Sequence, residues 1–525
     1  MYLKLPAILL LCILQYSLLK AQTTSNALNP TLENIIPASP SASALAKFGS
    51  IPVGLSTGIP EVSIPIFNYQ GTNNLALQVS LDYHAGGIRV NETASNVGIG
   101  WALNAGGVIT RTLRGIPDEA PTYGFLNSGT LPASETEGNA PQAVEDRTFN
   151  KIYRGELDNQ NDIFTFNFNG HSGKFIYGKN NDFLLINQQK LKIEKELSTI
   201  NNTLVISKFT ITDEYGIKYI FKDYELTINY NNVYSGRYCT SAWYLSEIQT
   251  PSGKDNILFQ YADAYLTTYQ VSKGYTQKYN LTYNTYASTA TSDISRGYVD
   301  MQIKRLKKIT LPNKAEISLT YDSKERTDLK GDTLLTKITI SDPFSNKRGL
   351  NLEQDYSLNR ATLTKVIPFG GGTETAEGNY TFTYNSALPD LYSDKQDHWG
   401  YYDVNSDSLI PWEISSDGFS NNIYELSGSN RDTDPSSVKA GSLTKITYPT
   451  GGYAIFEMEA NQAKSNWLDQ SFTKTIPGSS SYQDKSASVY VSSSNSYGSS
   501  VITVPFEGEA NTSTTFTISA PATLV

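Results

Sequence analysis

The sequence predicts an all-β protein: many β-hairpins joined into a sheet or partial shell, with a sandwich-like β segment at the C-terminal end. Three observations carry this. The 35 Tyr and 20 Phe against 3 Met favour pleated, half-buried surfaces, where aromatic rings fit well. Apolar and polar residues alternate with a period of two in segment after segment, which marks half-buried strands. A strand–turn–strand pattern with a shared signature also recurs between residues 245 and 459.

The stretch from Leu75 to Arg114 organises the rest. Leu75, Leu77, Val79, Leu81 and Tyr83 alternate with polar or small residues, so a strand runs through them. Gly86, Gly87, Gly98, Gly100, Gly106 and Gly107 then punctuate the chain around Trp101. Glycine lets backbone pass close to a large indole, so these seven residues read as folding determinants rather than a reactive site. Residues 108–113 resume an extended pattern.

The totals set bounds. A chain of 525 residues exceeds one ordinary core, so several units are expected. A net charge of −9 with 18% charged residues excludes a nucleic-acid surface and a coiled coil. Tyr2 and Lys4 precede the apolar run Leu5 to Leu19, and Ala21-Gln22 follows. Residues 1–21 thus read as a signal peptide, directing the chain to the periplasm, the outer surface or the medium. No other stretch is long and apolar enough to predict a membrane span. Without Cys12 the only cysteine is Cys239; there is no disulfide framework, and Cys239 is expected to be buried.

In order, residues 22–50 read as a flexible leader and 51–235 as an N-terminal β domain. Within it, Pro60 and Pro65 confine the strand at Val62, Ile64 and Ile66 to an edge. Residues 115–150 read as a long polar surface loop. A hairpin follows at Phe164, Phe166 and Phe168, turning through Gly170-His171-Ser172-Gly173, with His171 exposed at its tip. Residues 209–223 repeat the plan, turning at Asp213 to Gly216. Residues 236–476 hold four segments of the form L-x-x-I/V with a proline and a turn: 245–261, 306–321, 363–384 and 443–459. Each hairpin is marginal alone, so neighbours must pair. Residues 477–500 are a Ser-rich linker, and 501–525 begin a further β domain, as in a piece of a longer protein.

The blocks IPVGLSTGIPEVSIPIF, SLDYHAGGIRV, VGIGWALNAGGVITR, KQDHWGYY and AGSLTKITYPTGGYAIFE together resemble the N-terminal region of secreted Rhs/YD-repeat proteins of the Bacteroidetes type. The GIGWALNAGGVITR block also resembles the block that opens the B-component of insecticidal toxin complexes. The resemblance covers about residues 30–460. It implies an all-β architecture in which YD hairpins wind into a shell. It extends neither to encapsulation, since there are too few YD units for a closed shell, nor to self-cleavage at an Asp-Pro-x-Gly site, because Asp342-Pro343 is followed by Phe344 and Asp434-Pro435 by Ser436.

The sequence has three histidines. His84 falls on the polar side of its strand with Asp82 and Ser80; an exposed or inter-strand hydrogen-bonding role is the ordinary one, since metal binding or catalysis needs partners from elsewhere. His398 follows Asp397, which could orient its ring. Trp399, Tyr401, Tyr402 and Trp412 lie beside it and could form a carbohydrate-stacking surface, with structural packing as the alternative. No cofactor is expected. Asp158, Asp162, Asp403, Asp407, Asp432 and Asp434 could hold Ca²⁺ in loops, although a solvated acidic loop is the simpler reading. The common zinc-protease, hydrolase-elbow, thiol-redox and phosphate-loop signatures are absent. The sequence therefore points first to an exported, non-enzymatic β scaffold, part of a surface or toxin-delivery protein. A binding module for surface glycans comes second, and a hydrolase with an unassigned acid pair third. Its partners would be surface glycans or other chains of such an assembly.

Overall fold

The computed structural model describes residues 38–50, 58–121, 123–127, 157–178, 180–229, 238–276, 279–280, 285–286, 291–344, 346–370, 375–376, 378–409, 413–416, 423–426, 428–460, 472–476 and 514–518. Among them 51% are in strands and 4% in helix, so the fold is all-β as expected. The segments read as a signal peptide and as a Ser-rich linker lie outside the described residues.

A first sheet has three antiparallel strands: β1 (Val62–Gln70), β2 (Ala76–Tyr83) and β3 (Trp101–Ala105). Pro65 suits the edge position of β1, where it is exposed and the register slips between Pro65 and Phe67. Leu75, Leu77, Val79, Leu81 and Tyr83 are all buried, as the alternation requires.

A second, closed sheet takes up most of the remaining strands. β4 (Gly107–Thr112) pairs with β5 (Ile163–Phe168), which leads to β6 (His171–Tyr177) and β7 (Phe183–Leu185). β8 (Lys192–Ile200), β9 (Thr203–Thr212), β10 (Lys218–Asn229) and β11 (Tyr238–Gln249) follow as antiparallel neighbours. β11 also pairs with β4. β12 (Asn256–Thr276) continues from β11 and runs as a long ribbon, beyond which β13 (Tyr279–Asn280) pairs with β14 (Thr285–Tyr286). The return strand is β15 (Thr291–Thr310). β16 (Glu316–Tyr321), β17 (Leu335–Ser341), β18 (Lys347–Asp355) and β19 (Thr362–Gly370) meander onward. β20 (Thr375–Ala376) and β21 (Tyr380–Tyr384) both pair with β19; β24 (Leu443–Thr447) joins β21, and β25 (Tyr453–Ile455) joins β24. Between them β22 (Glu413–Ser416) pairs with β23 (Ile423–Leu426).

The L-x-x-I signature has a geometric cause. In a regular strand, residues three apart point to opposite faces. Here a register slip follows the first leucine each time. Leu245 pairs with Phe221 but Glu247 pairs with Ile220, so Ser246 is bulged. Lys307, Thr364 and Thr444 are skipped in the same way. The extra residue lets both apolar positions turn toward the core. Ile248, Ile309, Val366 and Ile446 are buried with Leu245, Leu363 and Leu443 in one cluster, and Leu306 packs against it half-buried. Bulged threonines bond across the sheet: Thr364 Oγ1 donates to Glu353 O at 3.0 Å and Thr444 Oγ1 to Thr383 O at 3.0 Å. The tyrosine that ends each of the first three segments reaches back to that segment's own first leucine. Tyr261, Tyr321 and Tyr384 donate to the carbonyls of Leu245, Leu306 and Leu363 at 2.8, 3.0 and 2.6 Å. A fifth copy, not recognised in the sequence, is LTKI at 335–338: Thr336 is bulged, and its hydroxyl donates to Thr320 O at 3.1 Å.

Several expectations need amendment. The boundary placed at 235/236 falls between β10 and β11, which pair along most of their lengths, so both sides share one sheet. Part of the leader is a helix, α1 (Pro40–Ser50). Ala38, Ala42 and Leu45 pack on Val108, Ala242 and Tyr244, and Ser39 N donates to buried Glu225 at 3.0 Å. The start of the 115–150 loop turns inward, because Asp118, Glu119, Ala120 and Phe125 are buried. The first hairpin turns at Asn169-Gly170, both with positive φ, a type I′ arrangement that matches strand twist. His171 therefore starts β6, half-buried between Phe168 and Tyr219. At the C-terminal end, β26 (Phe472–Ile476) pairs with β27 (Thr514–Ile518). Only β27 belongs to the C-terminal segment 501–525, and its pairing with β26 joins the two sides of the Ser-rich stretch.

Candidate functional site: the Asp-His-Trp-Gly loop and the buried arginines

The loop at 393–409 is built around Asp397. Its side chain is fully buried. Oδ1 accepts from the N–H groups of Trp399 and Tyr401 at 2.8 and 2.9 Å, and Oδ2 accepts from Thr433 Oγ1 at 2.7 Å. A carboxylate that accepts several N–H bonds braces a tight turn, and Gly400 supplies the positive φ of 88°. Arg431 clamps the same loop from outside, donating to the carbonyls of Gln396, Asp397 and Leu409 at 3.1, 2.7 and 2.8 Å. Asp397 thus shapes the backbone. His398 stands exposed on the other side of the turn, with its N–H donating to Arg431 O at 3.0 Å. Its pKa is lowered, first by partial burial and then by the Arg431 charge, against the pull of Asp432 and Asp397.

The aromatics of this loop separate. Trp399 is 72% exposed. Tyr401 turns inward over Gly87, where a Cβ would come within 2.9 Å of its ring. The Tyr401 hydroxyl donates to Gly86 O at 3.3 Å, and the Arg89 guanidinium lies 5.8 Å from its ring centre. Tyr402 is half-buried against the cluster of Ile88, Ala94 and Leu388. Trp412 lies outside the described residues. The loop thus joins the Gly86-Gly87 corner, and Val90 N donates to Gly400 O at 3.0 Å. Nothing in the linear sequence signalled that these two blocks meet.

Trp101 has no exposed surface. Its ring centre lies 5.3 Å from that of Tyr83 and 4.8 Å from that of Phe382, and its Nε1–H donates to Tyr384 Oη at 2.8 Å. Backbone runs close by. A Cβ on Gly98, with φ of 150°, would meet Leu363 N at 2.7 Å, and one on Gly107 would meet Phe168 Cβ at 2.2 Å. At Gly100 and Gly106 the rings of Tyr83 and Phe259 leave equally little room.

Sequence reasoning missed a cluster of buried charge at Arg111. Its Nε donates to Asp162 at 2.7 Å, and its two terminal nitrogens donate to Glu119 at 3.0 and 2.6 Å. Phe164 lies beneath the guanidinium at 5.3 Å, and Cys239 Sγ is 3.9 Å from Nη1. Burial disfavours the charge on Arg111, but Asp162 and Glu119 override it and raise the pKa further. Asp118 accepts from Asp162 N, and burial, then Asp162, pushes its carboxyl well above the usual range. Asp158 is pushed up to about 7, first by burial and then by Asp162, although its oxygens accept from Ile116 N and Gln160 N. Burial pushes the Cys239 thiol up to about 12, so it is not a reactive thiolate.

Among the described residues no three His, Cys, Asp or Glu side chains are grouped to hold a metal ion. Asp158 and Asp162 spend their oxygens on backbone N–H groups and Arg111. Asp434 caps Ser436 and Ser437. Asp407 faces Lys395 at 3.6 Å, and Asp432 N donates to Asn430. Asp403 keeps one buried oxygen without a hydrogen-bond partner. Its pKa is raised, by burial first and by Asp434 and Asp397 next. Among the described residues no helix is long and apolar enough to cross a membrane.

No family model matches this chain, and no curated protein does. Among solved structures, the crystal structure of TcdB2-TccC3-Cdc42 aligns with 68% of this chain at 14% identity and a TM-score of 0.30. The chain spans 17% of that one. A porin-like protein from Bacteroides uniformis aligns with 46% of this chain and 81% of its own, at 13% identity and a TM-score of 0.16. Neither likeness carries an argument.

Proposed function

We propose that this chain is an exported, non-enzymatic β scaffold, the N-terminal part of an Rhs/YD-repeat surface or toxin-delivery protein. The observation that carries the reading is the repeated L-x-x-I bulge. Consecutive hairpins pair edge to edge through it and build a continuous closed sheet. Buried charge is spent on structure, at Arg111 in this sheet and at Asp397 in the 393–409 loop. Expression of the full chain in a Gram-negative host, followed by fractionation and N-terminal sequencing, tests export. The mature chain should begin at Gln22 and leave the cytoplasm. Retention there with an intact Met1 overturns the export half. Reproducible turnover of a glycoside, ester or peptide panel, lost in a single-residue variant, overturns the non-enzymatic half.

A glycan-binding role remains the second reading, favoured by the exposed indole of Trp399. Binding on a glycan array that disappears in Trp399→Ala supports it, and an empty array counts against it.

A further inference from the structure

The outer, polar side of the three-stranded sheet carries a cavity of about 200 Å³. Glu61, Ser63, Gln78, Asp82, His84 and Asn104 contribute its polar wall. It is not part of the Asp-His-Trp-Gly loop or the Arg111 cluster. Asp82 lines it, half-buried. Ser63, its cross-strand partner, donates its hydroxyl to Oδ1 at 2.6 Å, and Asn104 Nδ2 donates to Oδ2 at 3.1 Å. The two neighbours fix the carboxylate plane. A carboxylate offers about four lone-pair directions, so this one retains acceptor capacity toward the cavity.

The serine proton goes to a carboxylate and not to the imidazole, so Ser63, Asp82 and His84 are not arranged as a relay that would activate a nucleophile. The wall instead selects for a donor. Two carboxylates, Glu61 and Asp82, and the side-chain amides of Gln78 and Asn104 line the space, and the residues lining it include no lysine or arginine. An anion would meet repulsion there. A sugar ring would find no aromatic plate, because Tyr83, the one aromatic lining residue, is 3% exposed and its hydroxyl accepts from Leu443 N at 2.9 Å in the core. The volume falls below the roughly 300–1,000 Å³ usual for drug-sized ligands. A compact group with several donors and a positive charge fits these limits, and a primary ammonium has three donors and no acceptor.

We propose that the cavity around Asp82 binds a primary ammonium group, carried by a small free amine or by a lysine side chain of a partner. Saturation-transfer NMR on the full chain compares n-butylammonium with butan-1-ol, which has the same carbon chain and no charge. The ammonium should give a saturable signal and the alcohol should bind at least about tenfold more weakly, since only the charged head gains from the carboxylate. Asp82→Asn keeps an acceptor for Ser63 and should weaken the ammonium about tenfold. Glu61→Gln, at the exposed rim, should weaken it about two- to threefold, with a smaller effect at high salt. Equal binding of amine and alcohol by the wild-type chain, or no saturable signal for the amine, overturns the proposal whatever the variants do. Retained amine binding in a folded Asp82→Asn chain overturns it too. Nα-acetyl-lysine methylamide separates the sources: binding comparable to butylammonium supports a lysine side chain, and rejection alongside bound butylammonium supports a free amine.

Discussion

Replacing Arg111 with methionine tests the account of the buried charge. The guanidinium is almost fully buried and holds two carboxylates that are equally buried. Methionine fills much of the space over Phe164 but leaves Glu119 and Asp162 without a counter-charge. Breaking a buried pair by removing one partner costs about 3–5 kcal/mol, most of it the penalty of the stranded charge. Urea unfolding followed by tryptophan fluorescence reads this, because Trp243 packs against Phe164 at 5.9 Å between ring centres. Adding Glu119→Gln to Arg111→Met should return about 1–3 kcal/mol, since one stranded charge is gone, while Glu119→Gln alone should destabilise. The loss in Arg111→Met should also shrink on acidification, as the stranded carboxylates take up protons. A change under about 1 kcal/mol in Arg111→Met would refute the reasoning, as would a double variant whose losses simply add.

Four further expectations follow from the same geometry. Asp118 has a pKa raised by burial first and by Asp162 next; a raised acid binds more protons folded than unfolded, so its stabilisation is complete below the ordinary carboxylate pKa and is lost as pH rises toward the folded value. Asp118→Asn should therefore flatten the fall in stability from about pH 5 to pH 8, by up to about 1.4 kcal/mol per pH unit, and an unchanged slope contradicts the burial argument. Cys239 should resist a thiol reagent in buffer and react fully in urea; fast labelling of the native chain would show that its wall opens. Trp101→Ala should cost about 3–5 kcal/mol, and a loss below about 1 kcal/mol is incompatible with an indole packed on every side. Thr364→Val removes the hydroxyl bond across the bulge and should cost about 0.5–1.5 kcal/mol by urea midpoint, with no loss expected if the bulge alone sets the register.

Much of the fold was legible because strands write their period into the sequence. The alternation from Leu75 to Tyr83 marks β2 directly, and Pro65 marks the edge. The L-x-x-I segments were visible as repeats, but their spacing of three conflicts with a period of two, and only the bulges reconcile them. The fifth copy at Leu335 escaped because no proline or glycine turn follows it at the expected distance. The charge cluster was not legible at all. Arg111 sits in an alternating strand where an arginine normally faces solvent, and Glu119 and Asp162 come from a polar stretch and a strand entry. The scattering of Tyr401 and Trp399 was equally hidden, since adjacency in sequence says nothing about which ring finds a glycine to lie on.

The arginines explain how the three-stranded sheet is fixed to the wall of the larger one. Apolar packing alone is not directional and would tolerate some sliding of one sheet over the other. Residues 89–98, which link β2 to β3, are instead held by side chains with fixed fork geometry. Arg326 donates to the carbonyls of Ala94 and Ser95 at 3.1 and 3.0 Å while paired with Asp328 and Asp332. Arg360 donates to the carbonyls of Val90, Glu92, Asn359 and Pro389 at 2.9, 3.3, 2.8 and 3.2 Å. The electrostatics separate the two. Arg326 has its pKa raised because carboxylates outweigh its burial, whereas Arg360, bonded to neutral carbonyls, has its pKa lowered because burial wins. Arg360 therefore carries the less compensated charge and ties four points of backbone, two of them in the linking segment. A lysine there, with three donors on a single nitrogen, could not span all four. The glycine-rich block folds against Trp101 on one side, and these forks close it on the other.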